Sequence, residues 1–123
     1  MNSGASGLRR LFNATRYSLR GIRSTFAQEP AFRQELVLVG ILFAASFWLQ
    51  TSVTEWLILI MPLFILLIVE LVNSAIESAI DRISDAPHTL SGQAKDMASA
   101  AVFLALLMIA VVWGVFVWMR LHG

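Results

Sequence analysis

Three carboxylates and one amide recur along a single stretch of the chain: Glu70, Asn73, Glu77 and Asp81. At about 100° per residue of α-helix, the four fall within roughly 80° of one another. The stretch continues without a break from the apolar run of residues 56–69, so the acidic face begins at or inside the edge of a hydrocarbon layer. A charged side chain at that depth costs about 2.5–3.5 kcal/mol on insertion scales. A helix that simply turns amphipathic on meeting water would favour Lys and Arg, which can snorkel. Three close acids instead repel one another and become tolerable when they share a cation. A divalent-metal site near a membrane surface is the chemistry this face predicts.

A second group opens a later helix. Lys95, Asp96 and Ser99 lie within about 100° of arc. A cation at a helix start is disfavoured by the dipole, so Lys95 needs an anionic partner. Opposite a triple-carboxylate face, it suits a metal-bound phosphate. Neither a Gly-x-x-x-x-Gly-Lys-Ser/Thr loop nor a Gly-rich kinase loop occurs, so a nucleotide would be held by another architecture. Glu29 and Glu35 precede one apolar run and residues 88–96 precede another, which gathers the unusual polar residues at one membrane face.

The elements that must position these groups follow from composition. At 58% hydrophobic and 14% charged over 123 residues, the chain lies outside the range of soluble domains and has room for one membrane domain. No cysteine is present, which excludes disulfides and Cys-ligated zinc. Residues 1–28 form an arm in which Leu8, Leu11, Phe12, Leu19, Ile22 and Phe26 recur at helical spacing among arginines. That pattern predicts a helix lying in the membrane interface, its basic residues toward the head groups, and makes a nucleic-acid-binding arm the weaker reading. No apolar run follows the basic residues directly, so a removable signal peptide is not expected.

Three spans follow, over 31–50, 54–83 and 90–120. The uncharged run 36–49 rises only about 21 Å, short of a roughly 30 Å core, so the first span must begin near residues 33–35. Pro62 within the second is a tolerated kink. Lys and Arg concentrate in the arm and in the loop between the second and third spans. That places the N-terminus in the cytoplasm and the C-terminus across the membrane. Trp113 and Trp118 are expected to be interfacial anchors, and Ala98, Ser99, Ala100, Ala101 and Ala105 to permit close helix packing. A proton or cation conductor is disfavoured, because the far halves of the second and third spans carry no ionisable relay. A non-enzymatic accessory subunit whose polar face meets a partner helix stays open.

The segment Glu70-Leu-Val-Asn73-Ser74-Ala75-Ile-Glu77-Ser-Ala-Ile-Asp81-Arg82, with Ser91-Gly92-Gln-Ala94-Lys95-Asp96-Met97-Ala-Ser99, closely resembles prokaryotic diacylglycerol kinase of the small integral membrane type. The resemblance extends to Tyr17-Ser18-x-x-Gly21 and to Glu29-x-Ala31-Phe32-Arg33-Gln34-Glu35. It implies an all-α integral membrane protein: three transmembrane helices plus an N-terminal amphipathic interfacial helix, assembled as a homotrimer with active sites shared between subunits. It further implies transfer of the ATP γ-phosphate to diacylglycerol, giving phosphatidic acid at the cytoplasmic face of the bacterial inner membrane.

Carried over by position, Glu70 is the general base, Glu29 and Glu77 hold Mg2+, and Lys95 and the Gly92 backbone bind phosphate. Asn73 positions Glu70 or the phosphate, while Arg10, Tyr17, Ser18, His88 and Asp96 surround the nucleotide. Asp81 matches the motif without a defined role. Gln93 and Ala98 stand where members often carry Arg and Gly. A related branch that phosphorylates undecaprenol shares the core motif; the arm, and His88 ahead of Ser91-Gly92, look more like the diacylglycerol branch.

Overall fold

A computed structural model of the chain describes residues 6–83 and 89–123. These form α1 (Gly7–Gln28), α2 (Pro30–Leu49), α3 (Val53–Ile83) and α4 (Thr89–His122), with no strand among the described residues. The all-helical architecture expected from the apolar runs is what is found, and α2, α3 and α4 are each long and apolar enough to cross a membrane.

Local chemistry sets the helix ends. Ser6 caps α1, its Oγ accepting from the Arg9 N–H at 3.2 Å. At the other end Arg33, reaching back from the first turn of α2, donates from Nη1 to the carbonyls of Phe26 (2.7 Å) and Ala27 (3.3 Å). A cation there satisfies orphan carbonyls and complements the helix dipole. Pro30 opens α2, where its missing N–H costs nothing. Between α2 and α3, Ser52 Oγ accepts from the Glu55 N–H (3.1 Å), while the Glu55 carboxylate reaches back to the N–H and hydroxyl of Thr51. This is a variant of the reciprocal capping box.

α3, with 31 residues, is about 46 Å long and exceeds a roughly 30 Å hydrocarbon core, so one end must project beyond it. Its N-terminal half, the outer half with respect to the acidic face, builds the core: Leu59, Leu63 and Leu66 are fully buried against Ala105, Ile109 and Trp113 of α4, with Leu49 of α2 beside them. Of the small residues expected to allow close packing, Ala98 and Ala105 are buried; Ser99, Ala100 and Ala101 are exposed. Trp113 is a correction. Rather than anchoring an interface, its ring is buried and its Nε1–H donates to the Leu59 carbonyl at 3.0 Å, pinning α4 to α3. Trp118 remains exposed and stacks on His122. Trp56 donates from Nε1 to the buried Ser46 hydroxyl (3.0 Å) and packs against Phe43 and Phe47.

Candidate active site

Beyond Val69, α3 keeps the same register but changes character. The carboxylate of Glu70 is 3% exposed, one residue after an apolar run, and one helical turn on from the fully buried Leu66. Register makes this burial unavoidable, because position 70 continues the line of 59, 63 and 66 that faces the bundle. Asn73 Nδ2 and the Ser74 hydroxyl both point to Glu70 Oε2, each at 3.5 Å, the outer limit of a useful hydrogen bond. From α2, anchored one turn earlier by the buried Phe32, Glu35 brings its carboxyl into hydrogen-bonding contact with that of Glu70. Two carboxyl groups in contact are held together by a proton or a cation between them. Glu35 Oε1 and Asn73 Oδ1 are both buried without a partner.

Glu35, Glu70 and Asn73 thus form a cluster rich in acceptors and poor in donors. Each orphaned acceptor costs about 1–3 kcal/mol. A ligand that brings a hydroxyl proton or a positive charge would recover that loss, which another acceptor could not do.

One turn further along α3, Glu77 is half-buried and within electrostatic reach of Glu29, Glu70, Lys95 and Asp81. Glu29 sits at the elbow where α1 ends and α2 begins, its N–H bonded to the Thr25 carbonyl at 2.8 Å. Among the described residues no three acids or histidines converge on one point. The metal site expected on the shared face of Glu70, Asn73, Glu77 and Asp81 therefore does not assemble as a triple-acid cage. A magnesium ion keeps several waters and asks the protein for only one or two carboxylates. Glu29 and Glu77, on two elements and within electrostatic reach of each other, are the residues whose chemistry fits that demand.

Asp81 is taken up by Lys95: Nζ lies 2.7 Å from Oδ1, across the ends of α3 and α4. Each charge stands at the wrong end of its own helix, an acid near the C-terminus of α3 and a cation near the N-terminus of α4, and each offsets the other's dipole penalty. Both side chains are well exposed, at 62% and 41%, so the pair is easily exchanged for other partners.

Between α1 and α3 lies a cavity of about 450 Å³, lined by Ser18, Thr25 and Glu29 on one side and by Leu71, Ser74 and Ser78 on the other. Ser74 borders both this cavity and the Glu70 cluster. The Ser18 and Thr25 hydroxyls donate to carbonyls one turn earlier in α1, leaving their lone pairs toward the cavity side of the helix.

Glu29, Glu70, Asn73 and Glu77 are thus brought together, with Lys95 reaching the edge of the group. Arg10 and Asp96 are exposed and make no side-chain hydrogen bond or ion pair among the described residues. Tyr17 carries the guanidinium groups of Arg16 and Arg20 against its ring, and Gly92 opens onto free space. His88 lies outside the described residues. Sequence reasoning assigned no catalytic or binding role to Glu35, Arg33 or Ser74. The signal for Glu35 was present: an acid one turn after Phe32, in a span too short to leave it in water.

The model of the prokaryotic diacylglycerol kinase family matches residues 16–117. Over 110 residues the chain is 48% identical to the diacylglycerol kinase of Pseudomonas aeruginosa, covering 89% of each chain. It is 44% identical over 109 residues to that of Haemophilus influenzae, covering 89% of this chain and 92% of the relative. Over 118 residues it is 39% identical to that of Escherichia coli K12, covering 96% and 97%.

Proposed function

Because the chain belongs to the prokaryotic diacylglycerol kinase family, we propose that it transfers the γ-phosphate of ATP to the primary hydroxyl of diacylglycerol, giving phosphatidic acid. The observation that carries this reading is the donor-poor cluster of Glu70, Glu35 and Asn73 at the membrane end of α3, beside a cavity. An uncharged lipid alcohol can reach that depth, whereas ATP must come from water. The alcohol's O–H is the donor the cluster lacks.

In this mechanism Glu70 accepts the hydroxyl proton as the new O–P bond forms, and the bond from γ-phosphorus to the β–γ bridging oxygen breaks to release ADP. Asn73 orients the Glu70 carboxylate through its amide. Lys95 leaves Asp81 to neutralise phosphate charge, aided by the Gly92 backbone N–H near the start of α4. Glu29 and Glu77 hold Mg2+, which when bound offsets the charge on the phosphate oxygens. Arg10, Tyr17, Ser18, His88 and Asp96 bind the nucleotide. Phosphoryl transfer asks a protein mainly for positioning and charge neutralisation, so a small bundle suffices.

Arg10, Tyr17, Gly92 and Asp96 are exposed, and none of them makes a contact with the carboxylate cluster of its own chain among the described residues. Their placement supports assembly as a homotrimer in which subunits share sites. The concentration of Lys and Arg in α1, with Arg82 at the end of α3 and Lys95 near the start of α4, supports a cytoplasmic N-terminus and a periplasmic C-terminus in the inner membrane.

The test is transfer of labelled γ-phosphate from MgATP in mixed micelles containing either diacylglycerol or undecaprenol, with Glu70→Gln alongside. Phosphorylation of diacylglycerol that is lost in the variant is the expected result. Transfer mainly to undecaprenol would reassign the acceptor and keep the chemistry. No transfer to either lipid by the folded protein would overturn the proposal.

A further inference from the structure

α1 has three faces. Leu8, Leu11, Phe12, Leu19, Ile22 and Phe26 occupy an apolar arc of about 100°. Ser18, Gly21, Thr25 and Gln28 face the cavity shared with α3. Arg9, Arg16, Arg20 and Arg23 fall within about 60° of one another, on the side opposite the cavity. All four are exposed, and none has a carboxylate partner among the described residues. Arg10, by contrast, lies away from this stripe, close to the direction of Tyr17. The proposed phosphoryl transfer uses none of the four.

Three of them enclose a recess of about 290 Å³: Arg16, Arg20 and Arg23, with Leu19 at its apolar edge. Arg16 and Arg20 lie over the Tyr17 ring, 5.7 and 5.6 Å from its centroid, a contact that leaves their charge unbalanced; guanidinium groups this close repel one another and call for an anion. Leu19 belongs to the apolar arc, so the recess opens where head groups meet hydrocarbon. A soluble anion would gain nothing from that edge, whereas a lipid phosphate would. Arginine forks pair with oxygens two at a time. A phosphate monoester offers three terminal oxygens and a charge of about −1.5 to −2 near neutrality, while a diester head group offers two non-bridging oxygens and one charge.

We propose that the recess formed by Arg16, Arg20 and Arg23 on the outer face of α1 is a binding site for a lipid phosphate monoester, the chemical class of the enzyme's own product. The naming of the product rests on the kinase reading; the binding itself does not. No residue of α1 is buried in the bundle, so a phosphate lipid held here would also fix the helix at the surface. The product would leave the cavity face of α1 and be retained on its opposite face.

The absence of cysteine allows a single fluorophore at Thr15→Cys, which is exposed within the apolar arc. The full chain is placed in phosphatidylcholine nanodiscs without ATP, doped at equal mole fraction with acyl-brominated phosphatidate, phosphatidylglycerol or phosphatidylcholine. Quenching is expected to be strongest with phosphatidate, weaker with phosphatidylglycerol and weakest with phosphatidylcholine, each arginine contributing up to about fivefold. In the triple variant Arg16→Gln, Arg20→Gln, Arg23→Gln the phosphatidate preference should vanish while quenching by brominated phosphatidylcholine persists, which shows that α1 still lies in the interface. The matching triple substitution to Lys should keep a charge preference but narrow the gap between phosphatidate and phosphatidylglycerol. Equal quenching by these two anionic lipids in the unaltered chain would overturn the proposal. So would a phosphatidate preference that survives the Gln substitutions, or one abolished by inorganic phosphate at constant ionic strength. Because no phosphoryl transfer is measured, failure here would leave the kinase reading untouched.

Discussion

The two halves of α3 are built to opposite standards. In the outer half, Leu59, Leu63 and Leu66 are fully buried against α4, and the polar atoms beside them are paired: Trp113 with the Leu59 carbonyl, Trp56 with Ser46, Ser46 with the Phe43 carbonyl. In the inner half, Glu70 is as deeply buried, yet its bonds from Asn73 and Ser74 are stretched to 3.5 Å and two neighbouring acceptors have no donor. One helix in one register passes from a satisfied core to an unsatisfied one within a single turn. A chain selected only for stability would have closed the second cluster with a Gln or a hydroxyl. Keeping acceptors open there destabilises the fold and leaves the cluster ready for a donor from outside.

Substitutions can break this contrast from either end. The largest effect is expected from Glu70→Gln, which supplies a donor where the protein keeps an acceptor. Loss of a general base lowers kcat by about 10²–10⁴-fold, while thermal unfolding in detergent should show the variant at least as stable as the parent. A large drop in both would mean that Glu70 is structural and that the contrast fails. Leu63→Ala attacks the other end. It should cost about 2 kcal/mol, at the low end for buried leucines because lipid rather than water is the alternative environment. kcat of the folded fraction should stay near the parent's. Stability from chemical unfolding and kcat measured on the same preparation separate the two outcomes.

The contrast was only half visible in the amino-acid order. Hydropathy is local, so the three spans are read directly from runs such as 56–69 and 97–119. A 100° period is enough to put Glu70, Asn73, Glu77 and Asp81 on one face. What that face meets is a tertiary matter. Nothing along the chain says that Glu35 rather than Arg33 turns toward Glu70, because this depends on the elbow at Glu29-Pro30 and on Arg33 capping α1. Trp113 shows the same limit. A tryptophan near the end of a span serves equally as interfacial anchor or core residue, and the free carbonyl lone pair at Leu59 settles it. The Ser52-x-x-Glu55 capping box was legible as a motif and went unread.

Two smaller substitutions sharpen the comparison within the inner half itself. Glu35→Gln removes one of the two facing carboxyl groups and gives Glu70 a permanent hydrogen-bond donor. Stability should rise by about 1 kcal/mol, the value of one satisfied buried bond, and kcat should fall by about tenfold as Glu70 becomes a weaker base. A variant with raised stability and unaltered kcat would make Glu35 a structural neighbour only.

Asp81→Asn is the gentlest change. The Lys95–Asp81 pair is exposed, so its loss should shift stability by no more than about 0.5 kcal/mol. If Lys95 has to leave Asp81 to meet phosphate, the Asn variant spares it that exchange, and KM for MgATP should fall by up to about fivefold with kcat little changed. Asp81→Glu, which restores the charge, should return KM toward the parent value. A KM that rises in the Asn variant would show instead that Asp81 holds Lys95 in its working position. The salt bridge would then belong with the tightly specified outer half of the bundle rather than with the exchangeable inner one.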